Sequence, residues 1–187
     1  MTLDVSPAPG GTRALLQSIV EVARAIFGAA ASSVFLLDDA AGELVFEAVA
    51  GEGQDFLIGT RIPANRGIAG WVVSSGQAMI VDDLRDNNTF ARDIAESTQY
   101  VPNALMAAPL LADGQVLGVL QVLDPAEQSR SDLGDLDLLA LFAHQAATAL
   151  RVAKGCARCG PDTDPLASID PDELVDVFRD FLRHRNG

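Results

Sequence analysis

The chain has 187 residues, 49% of them hydrophobic, with a formal net charge of -13 and a pI near 4.3. That length suits one domain of about 150 residues with a sizeable core, plus a tail. So acidic a chain argues against a phosphate-binding surface, which needs clustered Lys and Arg, and nucleic acid is set aside as a direct partner. The longest apolar runs stop well short of the ~18 residues of a membrane span, and Met1 to Gly11 has neither a basic start nor an apolar core. A soluble, cytoplasmic protein without membrane attachment is expected. Two cysteines near the end, Cys156 and Cys159, are not a disulfide framework and agree with a reducing compartment.

In chain order, residues 1–11 carry Pro7, Pro9 and Gly10-Gly11 and are expected to form a disordered arm. From 12 to 27, Leu15, Leu16, Ile19, Val20, Ala23, Ile26 and Phe27 recur at spacings of three and four. This predicts a helix with one apolar face, Thr12 as N-cap and Gly28 as stop. Residues 33–38 and 43–50 read as two strands around Asp39-Ala40-Ala41-Gly42, the second with Leu44, Phe46 and Ala48 opposing Glu43, Val45 and Glu47 and so half-buried. A loop over 51–59 and a short strand over 60–63 lead to a helix that opens at Gly67 and ends at Gly76. There Ile68, Trp71 and Val72 share a face, and Gly70 permits close approach to another backbone. Residues 79–81 return as a strand closed by Asp82-Asp83. Residues 86–100, polar apart from Phe90, Ile94 and Tyr100, read as a short helix within a flexible lid.

Residues 105–123 are a hairpin around Ala112-Asp113-Gly114, because Asp-Gly between short apolar runs is a strong turn signal. In its second strand Val116, Gly118, Leu120 and Val122 face one way and Leu117, Val119, Gln121 and Leu123 the other. A strand apolar on both sides belongs in the middle of a sheet covered on both faces. Gln121 is the exception: such a side chain is either bonded to a neighbouring element or looks into a cavity with something polar inside. Ser131 then caps a long helix running to about residue 154, with Asp132 and Asp135 in its first turn. Leu136, Leu139, Ala143, Ala146 and Leu150 form one stripe and Leu138, Phe142 and Ala149 a neighbouring one, wide enough to pack on the sheet and also on a partner. A homodimer through the first and closing helices is expected. Residues 155–170, rich in Gly, Pro and Asp and holding both cysteines, read as a linker, and 171–187 as a C-terminal segment whose short amphipathic helix, 171–185, docks on a protein partner.

The order of elements resembles a GAF domain, the sensor module of phosphodiesterases, cyclases and many bacterial regulators. GIAGWVVSSGQAMIVDDLRDNNTFA is similar to that family's Gly-x-Ala-Gly helix, strand and Asp-Asp; ALMAAPLLADGQVLGVLQVLD to its central hairpin; DLDLLALFAHQAATALRVA to its closing helix. The resemblance covers residues 12–154. It implies an α+β fold: a central, mostly antiparallel six-stranded sheet, the first and last helices on one face, and a pocket under lid helices on the other. It implies a small-molecule-sensing regulatory domain of bacterial signal transduction, not an enzyme, that acts through protein contact and binds an unidentified ligand; the cofactor is unknown. Ligand contacts carried over from the family fall on Gln121, on the backbone at Ala69, and on Phe90, Glu96, Thr98 and Tyr100 of the lid.

The sequence departs from cyclic-nucleotide binders, with Asn87-Asn88-Thr89 lacking the family's lysine and Gln99 in place of the glycine before Tyr100. Methionine sulfoxide reduction and bilin attachment need cysteines, and none lies between Met1 and Gly155. His144, between Ala143 and Gln145 on the closing helix, reads as a helix-surface residue rather than a haem ligand, and the acids at Asp82-Asp83 as solvated surface. Cys156 and Cys159 are half of a zinc-ribbon pattern; free thiols, a shared zinc site across a two-fold axis, and a redox-sensitive disulfide all fit. The competing reading is a ligand-free dimeric scaffold that recruits a partner through its C-terminal helix.

Overall fold

The computed structural model describes residues 10–52, 57–84, 102–126 and 133–158. In order these form α1 (Gly10–Ile26), β1 (Ala31–Asp38), β2 (Glu43–Gly51), β3 (Arg61–Pro63), α2 (Gly67–Ser75), β4 (Met79–Val81), β5 (Leu105–Ala112), β6 (Gln115–Leu123) and α3 (Leu133–Arg158). The chain divides into two compact units, Met1–Ala153 and Lys154–Gly187. Of the second, only the helical residues 154–158 at the end of α3 are described.

The six strands make one sheet in the order β3-β2-β1-β6-β5-β4, and every neighbouring pair is antiparallel. β6 therefore lies inside the sheet, between β1 and β5, as its two apolar faces require. Its hairpin with β5 turns on Asp113 and Gly114, both at positive φ (50° and 75°), the geometry that matches strand twist. Arg151 of α3 makes an ion pair with Asp113 at that turn.

Each face of the sheet carries its own apolar layer. Leu16, Val20 and Ala23 of α1, Phe27 just after it, and Leu139, Ala143, Ala147 and Leu150 of α3 pack on Val34, Ala48, Met106, Ala108, Leu120 and Val122. On the opposite face Ile68, Ala69 and Val72 of α2, with Leu84, pack on Phe35, Leu44, Phe46, Val49, Leu105, Ala107 and Val119. Phe35 and Phe46 stack tilted, ring centroids 4.1 Å apart.

Two one-residue register shifts set which side chains reach which layer. On β2, Val34 pairs with Ala48 but Phe35 with Phe46, so Glu47 is an extra residue. Leu44 and Phe46 consequently face α2, while Ala48 faces α1. The expected half-buried alternation is thus corrected: β2 is buried on both sides, because an inserted residue reverses a period of two. A second shift separates the pairs Pro109 with Val119 and Leu111 with Val116, placing the extra residue of β6 at Leu117 and Gly118. Leu117 accordingly joins Leu120 on the α1 side, not Val119. A Cβ at Gly118 would lie 2.0 Å from the Phe35 carbonyl oxygen, so only glycine fits where β6 crosses β1.

Helix ends also differ from expectation. α1 begins at Gly10, not Thr12, and Thr12 is buried in its first turn rather than capping it. β1 begins two residues earlier, at Ala31, because Ala31 and Ser32 still pair with Leu123 and Val122. α3 continues to Arg158, past the expected end near 154, with Gly155 inside it.

Candidate functional site

The face of the sheet beneath α2 is built in rows across the strands. One row runs Val49, Ser33, Gln121, Ala107, Met79 from β2 to β4. Side chains alternate along a strand, so Gln121 shares the face of Val119 and Leu123, and Ser33 that of Phe35 and Leu37. The row is apolar except at its centre, where Ser33 (4% exposed) and Gln121 (7%) stand directly opposite each other. The buried polar residues among those described are Thr12, Ser32, Ser33 and Gln121, all uncharged. Thr12 belongs to α1. Ser32 points the other way, and its hydroxyl donates to the Gln121 carbonyl oxygen at 3.0 Å.

Among the described residues no side-chain nitrogen or oxygen is both fully buried and without a hydrogen-bond partner, Gln121 and Ser33 included. The cross-strand neighbours of Gln121 are small: Ser33 on one side and Ala107 on the other. Larger apolar side chains, Val119, Phe35 and the partly buried Leu123, stand further along the same face.

α2 lies over this face because its sequence lets it come close. Gly67 enters at φ 66°, and a Cβ on Gly70 would lie 2.7 Å from the carbonyl carbon of Asn65, so glycine is required where the helix folds back on its own entry turn. Gly76 closes the helix in the left-handed conformation, its amide donating to the Val72 carbonyl at 2.9 Å. Ile68, Ala69 and Val72 are buried in the layer that includes the apolar neighbours of Gln121. Trp71, expected on the face of Ile68 and Val72, is instead 40% exposed. At ~100° per residue it stands about 60° round the helix from Ile68 and about 100° from Val72, at the margin of the buried face.

Asp124, directly after β6, organises the rim. Its Oδ1 accepts from the amides of Asn103 at 2.8 Å and Ala104 at 3.0 Å, and its own amide donates to the Ala104 carbonyl at 2.9 Å. The Leu84 amide donates to the Asn103 carbonyl at 2.9 Å. Residues 84 and 103 are thereby held together beside the end of β6. Sequence reasoning singled out neither Asp124 nor Ser33. The signals were present: an Asp ending an apolar strand, at positive φ, and a Ser pair opening one.

Of the expected ligand contacts, Gln121 and Ala69 lie on the same side of the sheet, both buried. Phe90, Glu96, Thr98 and Tyr100 lie outside the described residues, as does the expected lid at 86–100. Cys156 falls on the last turn of α3, and Cys159 lies outside the described residues. His144 is exposed on α3, and its carbonyl accepts from the Thr148 hydroxyl at 3.1 Å. Among the described residues no three His, Cys, Asp or Glu group as a cation site, and no helix is long and apolar enough to cross a membrane. The notable charge network is remote from the site: Arg61 on β3 bridges Asp38 and Glu43, each at 2.9 Å.

Comparison with known proteins agrees with this architecture. Residues 12–150 match the GAF domain family. The chain is 24% identical over 140 residues to the probable 3',5'-cyclic phosphodiesterase pde-5 of Caenorhabditis elegans, a match covering 69% of this chain but only 19% of that protein. Among solved structures, the GAF domain of a phosphoenolpyruvate-protein phosphotransferase from Coxiella burnetii superposes with a TM-score of 0.70 at 18% identity, covering 83% of this chain and 89% of that one. The free methionine-R-sulfoxide reductase of Neisseria meningitidis, in complex with its substrate, superposes at 0.60 with 26% identity, covering 76% and 81%. With the matched family spanning most of the residues and the sheet, flanking helices and central hairpin all in place, the chain belongs to the GAF domain family, a sensor and regulatory module of signalling proteins.

Proposed function

We propose that this GAF domain senses a small molecule seated on the sheet face beneath α2, against Gln121 and Ala69, and passes its presence to another protein in a bacterial signalling pathway. Gln121 carries the reading: a polar side chain more than nine-tenths buried on the face beneath α2, opposite Ser33 in a row that is otherwise apolar. The lid residues Phe90, Glu96, Thr98 and Tyr100 complete the proposed contacts. In this reading the domain has no catalytic role. The reductase and bilin chemistries of this fold need a cysteine, and the chain has none before Cys156. The site of action is the cytoplasm.

Native mass spectrometry of the full chain purified from its source tests the proposal. A co-purifying small molecule, retained by the wild type and lost in Gln121→Leu, is the expected result. A bare polypeptide mass, together with a higher melting temperature for Gln121→Leu, would mean that Gln121 is only a buried liability.

The domain acts in this reading as a homodimer. Leu138, Leu141 and Val152 of α3 are 43%, 65% and 62% exposed, and Val22 and Ile26 of α1 are 42% and 49% exposed. Leu138, Leu141, Gln145, Thr148 and Val152 follow the three-four spacing of a coiled-coil seam, with two polar residues at its middle. A second copy of α3 fits such a stripe. The same stripe favours the competing reading, a scaffold without ligand, and the fate of Gln121→Leu separates the two.

A further inference from the structure

Resting on the homodimer reading of the α3 stripe, we propose that the second copy lies antiparallel on the first, with Asp137 of each α3 against Arg151 of the other and the two His144 residues facing across the two-fold axis. The seam itself, Leu138, Leu141, Gln145, Thr148 and Val152, does not choose a direction. Its flanks do. On one side Asp137, His144 and Arg151 recur every seven residues, and all three are exposed. On the other side Phe142 and Ala149 have the same period and are half-buried.

Flanking charges set the orientation of paired helices. Two parallel helices lay one flank against the opposite flank of the partner, so Asp137 would meet Phe142, His144 would meet Ala149, and no charge would find its opposite. Two antiparallel helices lay like flanks together. With Leu141 of one copy level with Gln145 of the other, Asp137 and Arg151 then form two symmetric ion pairs, and Phe142 meets Phe142 on the far side of the seam. The helix dipoles oppose each other as well. Arg151 is already paired with Asp113, but both side chains are open to water (49% and 74%), and a guanidinium with five donors can take a second carboxylate. At ~1.5 Å per residue, residue 153 of one copy stands about 30 Å from residue 153 of the other. The chain that follows each α3 therefore leaves the pair at opposite ends, and the two Cys156 residues do not meet at the axis to share a zinc ion.

The test uses the full chain carrying Cys156→Ser and Cys159→Ser, so that a single introduced cysteine is its only thiol. His144→Cys and Leu138→Cys are each oxidised with copper phenanthroline at a concentration where sedimentation shows the dimer. His144→Cys is expected to link the copies at least tenfold faster than Leu138→Cys, whose counterpart lies about 15 Å away along the seam. In the otherwise unchanged chain, Asp137→Arg is expected to weaken the dimer at least fivefold, and Asp137→Arg combined with Arg151→Asp to restore it. If Leu138→Cys links as fast as His144→Cys, or the double reversal stays as weak as the single one, the antiparallel arrangement is overturned while the dimer stands. A wild type that sediments as monomer means that something other than a second copy covers the stripe, and the homodimer reading falls with this inference.

Discussion

Gly118→Ala puts the architecture of the site under the most direct strain. A Cβ there would lie 2.0 Å from the Phe35 carbonyl oxygen and 3.0 Å from both the Phe35 carbonyl carbon and the Leu36 Cα. The obstruction is backbone and cannot rotate away. β1 must retreat from β6 where Leu36 pairs with Gly118 and Phe35 with Val119. Overpacking of a core costs about 1–3 kcal/mol, and one weakened ladder bond adds about 1 kcal/mol, so a loss of about 2–4 kcal/mol is expected. That is a large share of the ~5–15 kcal/mol by which a domain is stable. With a urea slope of ~2 kcal/mol/M, the unfolding midpoint falls by about 1–2 M. Gly114→Ala is the control. Gly114 sits at φ 75° with nothing within 4 Å of a new Cβ, so only the left-handed penalty of about 1–2 kcal/mol applies. Because Gly118 lies at the register shift that decides the face of Gln121, the variant should also disturb the amide signals of residues 119–123. A Gly118→Ala protein within about 0.5 kcal/mol of wild type, or no less stable than Gly114→Ala, would refute the steric account.

Other expectations follow from separate parts of the molecule. Sedimentation at micromolar concentration should find a dimer that Leu141→Glu converts to monomer without loss of fold; wild type sedimenting as monomer would dismiss the α3 seam. Asp124→Ala removes acceptors from two backbone amides and should cost about 2–3 kcal/mol, with faster hydrogen exchange at Asn103 and Ala104 than elsewhere in β5. Leu139→Ala, at a fully buried contact of α3 with the sheet, should cost about 2–5 kcal/mol, read from the same urea curves. Asp38 supplies a pH dependence. Its hydrogen bond from Arg61, helped by the Ala41 amide, holds its carboxyl below the ordinary value of 3.8. A depressed folded-state pKa gives stability that is present above the unfolded value and lost as pH falls through the folded one. Arg61→Ala should therefore lower the melting temperature at neutral pH and converge on wild type in strong acid; a gap that stays constant with pH would assign the effect to packing alone.

Much of the fold was legible in the sequence because it depends on local signals. The Asp113-Gly114 turn, the Gly76 stop and the three-four spacing of Leu16, Ile19, Val20 and Ala23 each act within a few residues. The doubly apolar β6 likewise implied its inner position, since only neighbours on both faces can remove such a strand from water. Gln121 was identifiable for the same reason, as one polar side chain in an apolar run. Tertiary structure alone decided the two register shifts, and with them the faces of Ala48 and Leu117. A bulge is a relation between strands, and a period of two in one strand carries no record of it. The same holds for Ser33, unremarkable until pairing sets it opposite Gln121, and for Asp124, whose role lies in amides twenty residues away in the chain. The exposure of Trp71 also belongs to the assembled fold, because the burial of Ile68, Ala69 and Val72 against the sheet sets which way the neighbouring indole turns.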